Sequence, residues 1–359
     1  MPMVTTALLS ERLELVFHWY QGMVNPRTGL LEYLYLPEND IFIPEQSPIR
    51  DIASIWDIAL VSAFLERDDL RGVTERSLAK YSGYLVGHEQ TLILDPLRLE
   101  EPSSIAHSAF MILALLHASE PRRDDEIMSL ADGILRQQRA DGSYKVFFDD
   151  IPDSGEELYA GEAMLALLET HRALGGDRLL HSAARAFTYY DEHYFRVSRV
   201  TDDLLVFFAN WQSQACRLLF DTAASPALAT RVASFLFAVH DRVITSGFFD
   251  AVERHPEEQV SVAVACAVEG LNDAYAVALA TRNERAQPYR RAICTGLEYL
   301  LDLQSTQSKS RREVGGFGMS HDDRTQRIDV TGHAASAFLK AIANHVSCAD
   351  APVAHNIQS

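Results

Sequence analysis

Apolar residues recur along this chain mostly at helical spacing, and the two-residue alternation of strands is confined to short stretches. Leu8, Leu9, Leu13, Leu15, Val16 and Trp19 make the first apolar side and predict a helix over 5–23. Eleven more follow, over 50–65, 73–86, 103–118, 124–139, 155–174, 178–194, 204–220, 225–243, 257–280, 287–303 and 327–343. Ala140-Asp141-Gly142-Ser143 and Gly175-Gly176-Asp177 are the plainest breaks between them, being turn residues with no apolar period. Two long loops, 25–48 and 87–102, lack a helical pattern; the first holds Leu-Leu-Glu-Tyr-Leu-Tyr-Leu at 30–36 and has room for a small hairpin. Gly247-Phe248-Phe249-Asp250 reads as loop.

Long and short connections alternate, and the even-numbered helices start near 50, 103, 156, 204, 257 and 327, a repeat of about 50 residues with one longer final step. These even helices are rich in Ala, Ser and Gly and apolar around most of their circumference, whereas the odd ones carry Arg, Glu and Asp on one side. A helix apolar all round is buried, and a one-sided helix lies outside it. Six hairpins with inner and outer members close into a double ring, an all-α (α/α)6 toroid. Superhelical stacks of hairpins have short, uniform loops, which this chain lacks. One domain is expected over 1–347, with a flexible tail at 348–359.

A net charge of −18 argues against nucleic acid or an anionic membrane as partner, since both need a basic surface. The longest apolar run, 109–116, is too short to span a bilayer, and the first twelve residues lack the basic-then-apolar order of a signal peptide. Cys216, Cys266, Cys294 and Cys348 form no CxxC pair, and three sit in apolar helical patterns, where a reduced, buried thiol is expected. These features predict a soluble, acidic, cytoplasmic protein with a small-molecule partner and the option of a homodimer.

In a ring, the inner-helix starts and the long loops before them meet at one mouth, and the unusual polar residues fall there. Arg50 and Asp57 share a face of the second helix, being seven apart. The fourth offers His107, the sixth Tyr159 and Glu162, the eighth Trp211 and Gln212, and the tenth Glu269. The twelfth follows the glycine-rich stretch 315–323 and carries Arg327, Asp329 and His333, the last two one turn apart. Carboxylates in first turns, Asp51, Glu157 and Asp329, are favoured by the helix dipole whatever their function. Glu162 and Glu269 lie deep among Ala, Leu and Val, where a charge must find a cation or a wet cavity. Two carboxylates and a histidine in a cup walled by Trp and Tyr are what acid–base work on a sugar requires. Glu162 and Glu269 are therefore the expected acid and base, with His333 a second proton carrier held by Asp329. Arg50, Asp57, His107, Tyr159, Trp211, Gln212 and Arg327 are the expected substrate contacts. No cofactor and no metal are expected: Asp329 and His333 have ligand spacing, but no second such pair exists.

Ala-Asp-Gly-Ser-Tyr (140–144), Tyr-Ala-Gly-Glu-Ala (159–163), Trp211, Val-Glu-Gly-Leu (268–271) and the run 315–334 together resemble the (α/α)6-toroid superfamily. That group includes six-hairpin glycosidases, uronate-processing enzymes and the N-acylglucosamine 2-epimerase group. The resemblance implies a sugar- or uronate-acting hydrolase or isomerase. In the epimerases it implies catalytic histidines on inner helices. His333 matches one, and the eighth helix has Asn210-Trp211-Gln212 where its partner is expected. Residues 136–144 also resemble the repeats of terpene cyclases, and Gly-Gly-Phe-Gly occurs in protein prenyltransferases, so an isoprenoid cyclase is the alternative. Lanthionine-cyclase-like proteins share the ring with a zinc site of Cys, Cys and His, for which Cys216 and Cys266 are the candidates. A non-catalytic scaffold is the third reading, and it requires Glu162 and Glu269 to be tied up in ion pairs with no cavity.

Overall fold

The computed structural model describes residues 3–88, 91–223 and 225–348. Its long helices come as six consecutive outer–inner pairs. The first pair is α1 (Thr6–Gly22) with α2 (Pro48–Leu65), and the second is α3 (Arg71–Ser82) with α5 (Ile105–Ala118), after a short α4 (Pro96–Leu99). The third is α6 (Asp124–Arg136) with α7 (Glu156–Leu174), and the fourth α8 (Asp177–Tyr189) with α9 (Leu205–Thr222). The fifth joins α10 (Pro226–Thr245), through a short α11 (Phe248–Arg254), to α12 (Ser261–Ala280), and the sixth is α13 (Ala286–Leu303) with α14 (Ile328–Ala343). Inner helices pack in the order α2, α5, α7, α9, α12, α14, and α14 closes back on α2.

Small residues let the inner ring close. A Cβ on Gly161 of α7 would meet the Trp211 carbonyl carbon of α9 at 2.7 Å, and one on Gly270 of α12 would meet Asn210 Cα at 2.7 Å. Any side chain at either position would push two backbones apart. Along α5, α7 and α12 buried positions occupy nearly every side of the helix, as the Ala- and Val-rich sequences require. Outer helices α6, α8 and α13 bury one stripe only, such as Leu179, Ala183, Ala186 and Phe187 of α8. The segments Pro226–Arg254 and Ser261–Ala280 are long and apolar enough to cross a membrane by composition, a length the run 109–116 does not reach. In this fold most of the second segment is buried inside the ring.

The long loops are folded against the mouth. Within 25–48, β1 (Leu34–Leu36) and β2 (Ile41–Ile43) form the small hairpin, with Leu34 opposite Ile43. A second hairpin pairs β3 (Leu85–His88) with β4 (Thr91–Leu94), where sequence periodicity predicts helix to 86 and then open loop. The helix stops at Ser82 because the chain turns at Gly83 into Leu85-Val86 and Thr91–Leu94, which suit a pleated ribbon better than a helix. A two-residue β5 (Gln326–Arg327) adds to β1, pairing Leu34 with Arg327, and so ties the loop before α2 to the loop before α14.

Three further differences are local. Residues Phe248–Arg254 are helical rather than loop, α12 begins at Ser261 after a 3-10 turn at Pro256–Glu258, and the end of the 178–194 prediction is a π-helical turn, Tyr190–Phe195. Cys294 and Cys348 are joined as a disulfide, so only Cys216 and Cys266 are free thiols. The expected flexible tail therefore starts with a residue anchored to α13; 349–359 lie outside the described residues.

Candidate active site

A cavity of about 490 Å³ opens where the inner helices begin. Arg50, Tyr159, Glu162, Trp211, Arg327, Asp329 and His333 line it, as do Glu101, Phe110, Phe207 and Cys266. Glu162 comes from α7 and His333 from α14, which stand opposite each other in the ring order. The two therefore project from facing walls of one cup.

Glu162 is only 3% exposed, and its Oε2 has no hydrogen-bond partner in the protein. Burial without a counter-ion disfavours the carboxylate and pushes its pKa up to about 8, against a smaller opposing pull from His333. Glu162 thus carries a proton at neutral pH and loses it just above. The sequence gives the reason it is unpaired: its neighbours Ala160, Gly161, Ala163 and Met164 are all buried and offer no charge.

His333 is held from behind. Its Nδ1 donates to Glu269 Oε2 at 2.8 Å, while Ser336 Oγ donates to Glu269 Oε1 at 2.5 Å and Asn210 Nδ2 to Oε2 at 2.9 Å. Burial alone would lower the imidazole pKa, but the Cys266 sulfur and the Glu269 carboxylate beside it raise it well above its ordinary value. Burial also raises the Cys266 thiol, so the thiol keeps its proton and Glu269 supplies the charge that matters. Burial opposes the Glu269 carboxylate too, yet His333, Lys340 and Ser336 outweigh it and hold Glu269 below the usual carboxylate range. Trp211 meets the imidazole edge-on at 5.5 Å and limits how the ring can turn.

Asp329 does not hold His333, as its spacing predicts; the two arginines take it. Arg327 Nε and Nη2 donate to it at 2.9 and 2.5 Å, and Arg50 Nε lies 2.9 Å away. Burial works against this carboxylate, but Arg327 and Arg50 hold it below its ordinary range. Tyr33 sits under both guanidinium groups, at 5.7 and 5.8 Å. The Glu45 carboxylate also acts on Arg327, and the Arg50 side chain is 43% exposed at the rim.

The remaining predicted residues fall outside the lining. Glu269 is the buried support of His333 rather than a wall residue. Asp57 packs beneath α14: a Cβ on Gly332 would lie 2.1 Å from Asp57 Oδ2. Asp57 is pushed up to about 7 by burial, opposed by His333 and reinforced by Glu269 and Asp329. His107 accepts from the Ser104 N–H at its helix cap and binds Glu101 at 2.7 Å through Nε2, so it positions the lining residue Glu101. Gln212 is fully buried, and neither of its side-chain polar atoms has a protein partner. Sequence reading missed Glu101, Tyr33 and Ser336, and it placed Cys266 only as a zinc candidate with Cys216, which does not line the cavity. The grouping of Cys266 with Glu269 was readable, since Cys266 precedes Glu269 by three and shares its helix face.

At the cup, metal-ligating potential lies with Cys266, Glu269 and His333, whose donor atoms are all within 4.8 Å of one another; a second such group, His255, Glu257 and Glu258, is exposed on the surface. The pairing of Asp329 with His333, considered from sequence, is not this set.

No protein-family model matches the sequence, and no curated protein is detectably similar to it. Solved structures are similar in fold. A D-mannose isomerase superposes with a TM-score of 0.71 at 11% identity, over 96% of this chain and 100% of that one. A sugar epimerase from a ruminal bacterium gives 0.68 at 12%, over 95% and 99%. An unsaturated glucuronyl hydrolase specific for heparin gives 0.62 at 8%, over 94% and 98%. Helix pairing, ring closure and these full-length superpositions agree that the chain is an (α/α)6 toroid.

Proposed function

We propose that this chain is an enzyme that moves a proton on a small sugar or uronate held in the central cup, by isomerisation or epimerisation. The observation that carries the reading is the pair on facing walls: a buried, unpartnered Glu162 and a His333 imidazole held by Glu269. Proton abstraction beside a carbonyl needs a base on one side and a proton donor within reach of the oxygen or of the other face. Ionised Glu162 is the base, and the imidazolium of His333 is the donor. Trp211, Tyr159 and Phe110 offer apolar walls on which a pyranose ring stacks, and the Arg50–Arg327 pair offers donors for a hydroxyl or carboxylate at the rim.

Two-carboxylate hydrolysis is less well served. Asp329 is occupied by two arginines and Glu101 by His107, so Glu162 is the lining carboxylate without a fixed partner. An isoprenoid cyclase wants a largely apolar cavity, whereas Arg50, Glu101, Glu162, Arg327, Asp329 and His333 all face this one. A closed scaffold is at odds with a cavity of about 490 Å³ beside a free buried carboxyl. The fold neighbours include a D-mannose isomerase and a sugar epimerase, which supports the same reaction class.

Crystals soaked with aldoses, ketoses and uronic acids test the reading. It predicts a sugar stacked on Trp211 with its reactive carbon between Glu162 and His333. A panel that leaves the cup empty, or a sugar bound only at the outer surface, would refute it.

A further inference from the structure

Acid–base chemistry by Glu162 and His333 leaves one reactive group of the cup unused, the thiol of Cys266. It lines the cavity from α12, one turn before Glu269, and its sulfur lies within 4.8 Å of both a Glu269 oxygen and a His333 nitrogen. We propose that Cys266, Glu269 and His333 bind a thiophilic divalent cation, zinc above all, with the remaining coordination position open to the cup.

The donor set is a thiolate, an imidazole and a carboxylate, and zinc takes three such ligands in sites that keep a fourth position for water or substrate. Bonds of about 2.0–2.3 Å place tetrahedral neighbours roughly 3.5 Å apart. The three donors already lie within 4.8 Å of one another, close to that spacing. Two of them, His333 Nδ1 and Glu269 Oε2, now share a proton at 2.8 Å, in the position where a cation would replace it. The outer support of the site is also built: Ser336 and Asn210 each donate to Glu269 and fix the direction of its oxygens. Glu162 lines the same cavity from the facing wall and offers a further carboxylate across the cup. The other free thiol, Cys216, is buried away from the cavity and serves as an internal control.

Cation and proton compete for His333, so binding tightens as pH rises. If the function proposed above holds, zinc also inhibits turnover, because it removes the proton donor.

The test is titration of the metal-free full chain with cobalt(II) at neutral pH, followed by displacement with zinc. One equivalent of cobalt is expected to give a sulfur-to-metal charge-transfer band in the near ultraviolet, which zinc abolishes. Cys266→Ser should lose the band and weaken zinc binding by at least about ten-fold, whereas Cys216→Ser and Glu162→Gln keep the band. Circular dichroism of Cys266→Ser confirms that it is folded. Absence of the band in the wild type, cobalt binding without it, or unchanged zinc affinity in Cys266→Ser would each overturn the site. The two proposals fail separately: full sugar turnover by Glu162→Gln would sink the acid–base reading and leave the cation site standing.

Discussion

In the proposed reaction, Glu162 is the residue on which the chemistry turns. A carboxyl raised from 4.5 to about 8 binds its proton more tightly in the folded chain, so it favours folding fully below the unfolded value. That contribution is lost as pH rises from about 4.5 through about 8, at no more than about 1.4 kcal/mol per pH unit. Glu162→Gln removes the titration, and its urea-unfolding stability should fall less than the wild type's across that window. The same variant should lower kcat by roughly 10²–10⁴-fold, the usual worth of a general base. In the wild type kcat/KM should climb with pH through about 8 as the base forms. A profile flat from 6 to 9 would contradict the assignment of the base. Glu162 was legible in the sequence because a charge stood alone among small apolar residues. The role of Glu269 was not: its partner His333 is 64 positions away, and the nearer candidate, Asp329, is drawn off by Arg327 and Arg50.

Among the elements, the inner helices owe their close approach to two glycines. Gly161→Ala and Gly270→Ala would each bring a Cβ within 2.7 Å of the α9 backbone. Each should destabilise by about 1–3 kcal/mol through overpacking, read as a lower midpoint in denaturant with little change in slope. Gly175→Ala, where a built Cβ touches nothing but φ is +80°, separates backbone strain from crowding and is expected to cost less. Helical periodicity found all twelve long helices because each has a continuous apolar stripe or an apolar circumference. It failed where stripes are too short to form a period. The β3–β4 hairpin and α11 each span only a few residues, and their apolar side chains are packed by neighbours distant in sequence, as in the contact of α6 with β4.

At the scale of the molecule, ring closure joins the two ends of the chain: α14 packs on α1 and α2, and β5 pairs with β1. The disulfide between Cys294 and Cys348 pins the last described residue to α13 across 54 positions. Closing a loop of that length is worth about 4 kcal/mol in the chain-entropy model, with less usually realised. The denatured, unreduced chain should therefore show two titratable thiols, and reduction should lower the thermal midpoint. Four thiols without reductant would show that the bridge does not form. Sequence spacing gave no hint of this pair, since Cys294 sits in an apolar helical stripe and meets Cys348 only once the ring has closed.

The measurement that bears most directly on the proposed acid–base cup is proton NMR of candidate aldoses, ketoses and uronates incubated with the protein in D₂O. Proton transfer by Glu162 and His333 predicts deuterium entering the carbon beside the carbonyl of at least one sugar. Both Glu162→Gln and His333→Ala should lose that exchange, with each variant still folded. Exchange that persists in both variants, or its absence across every sugar tried, would contradict the account.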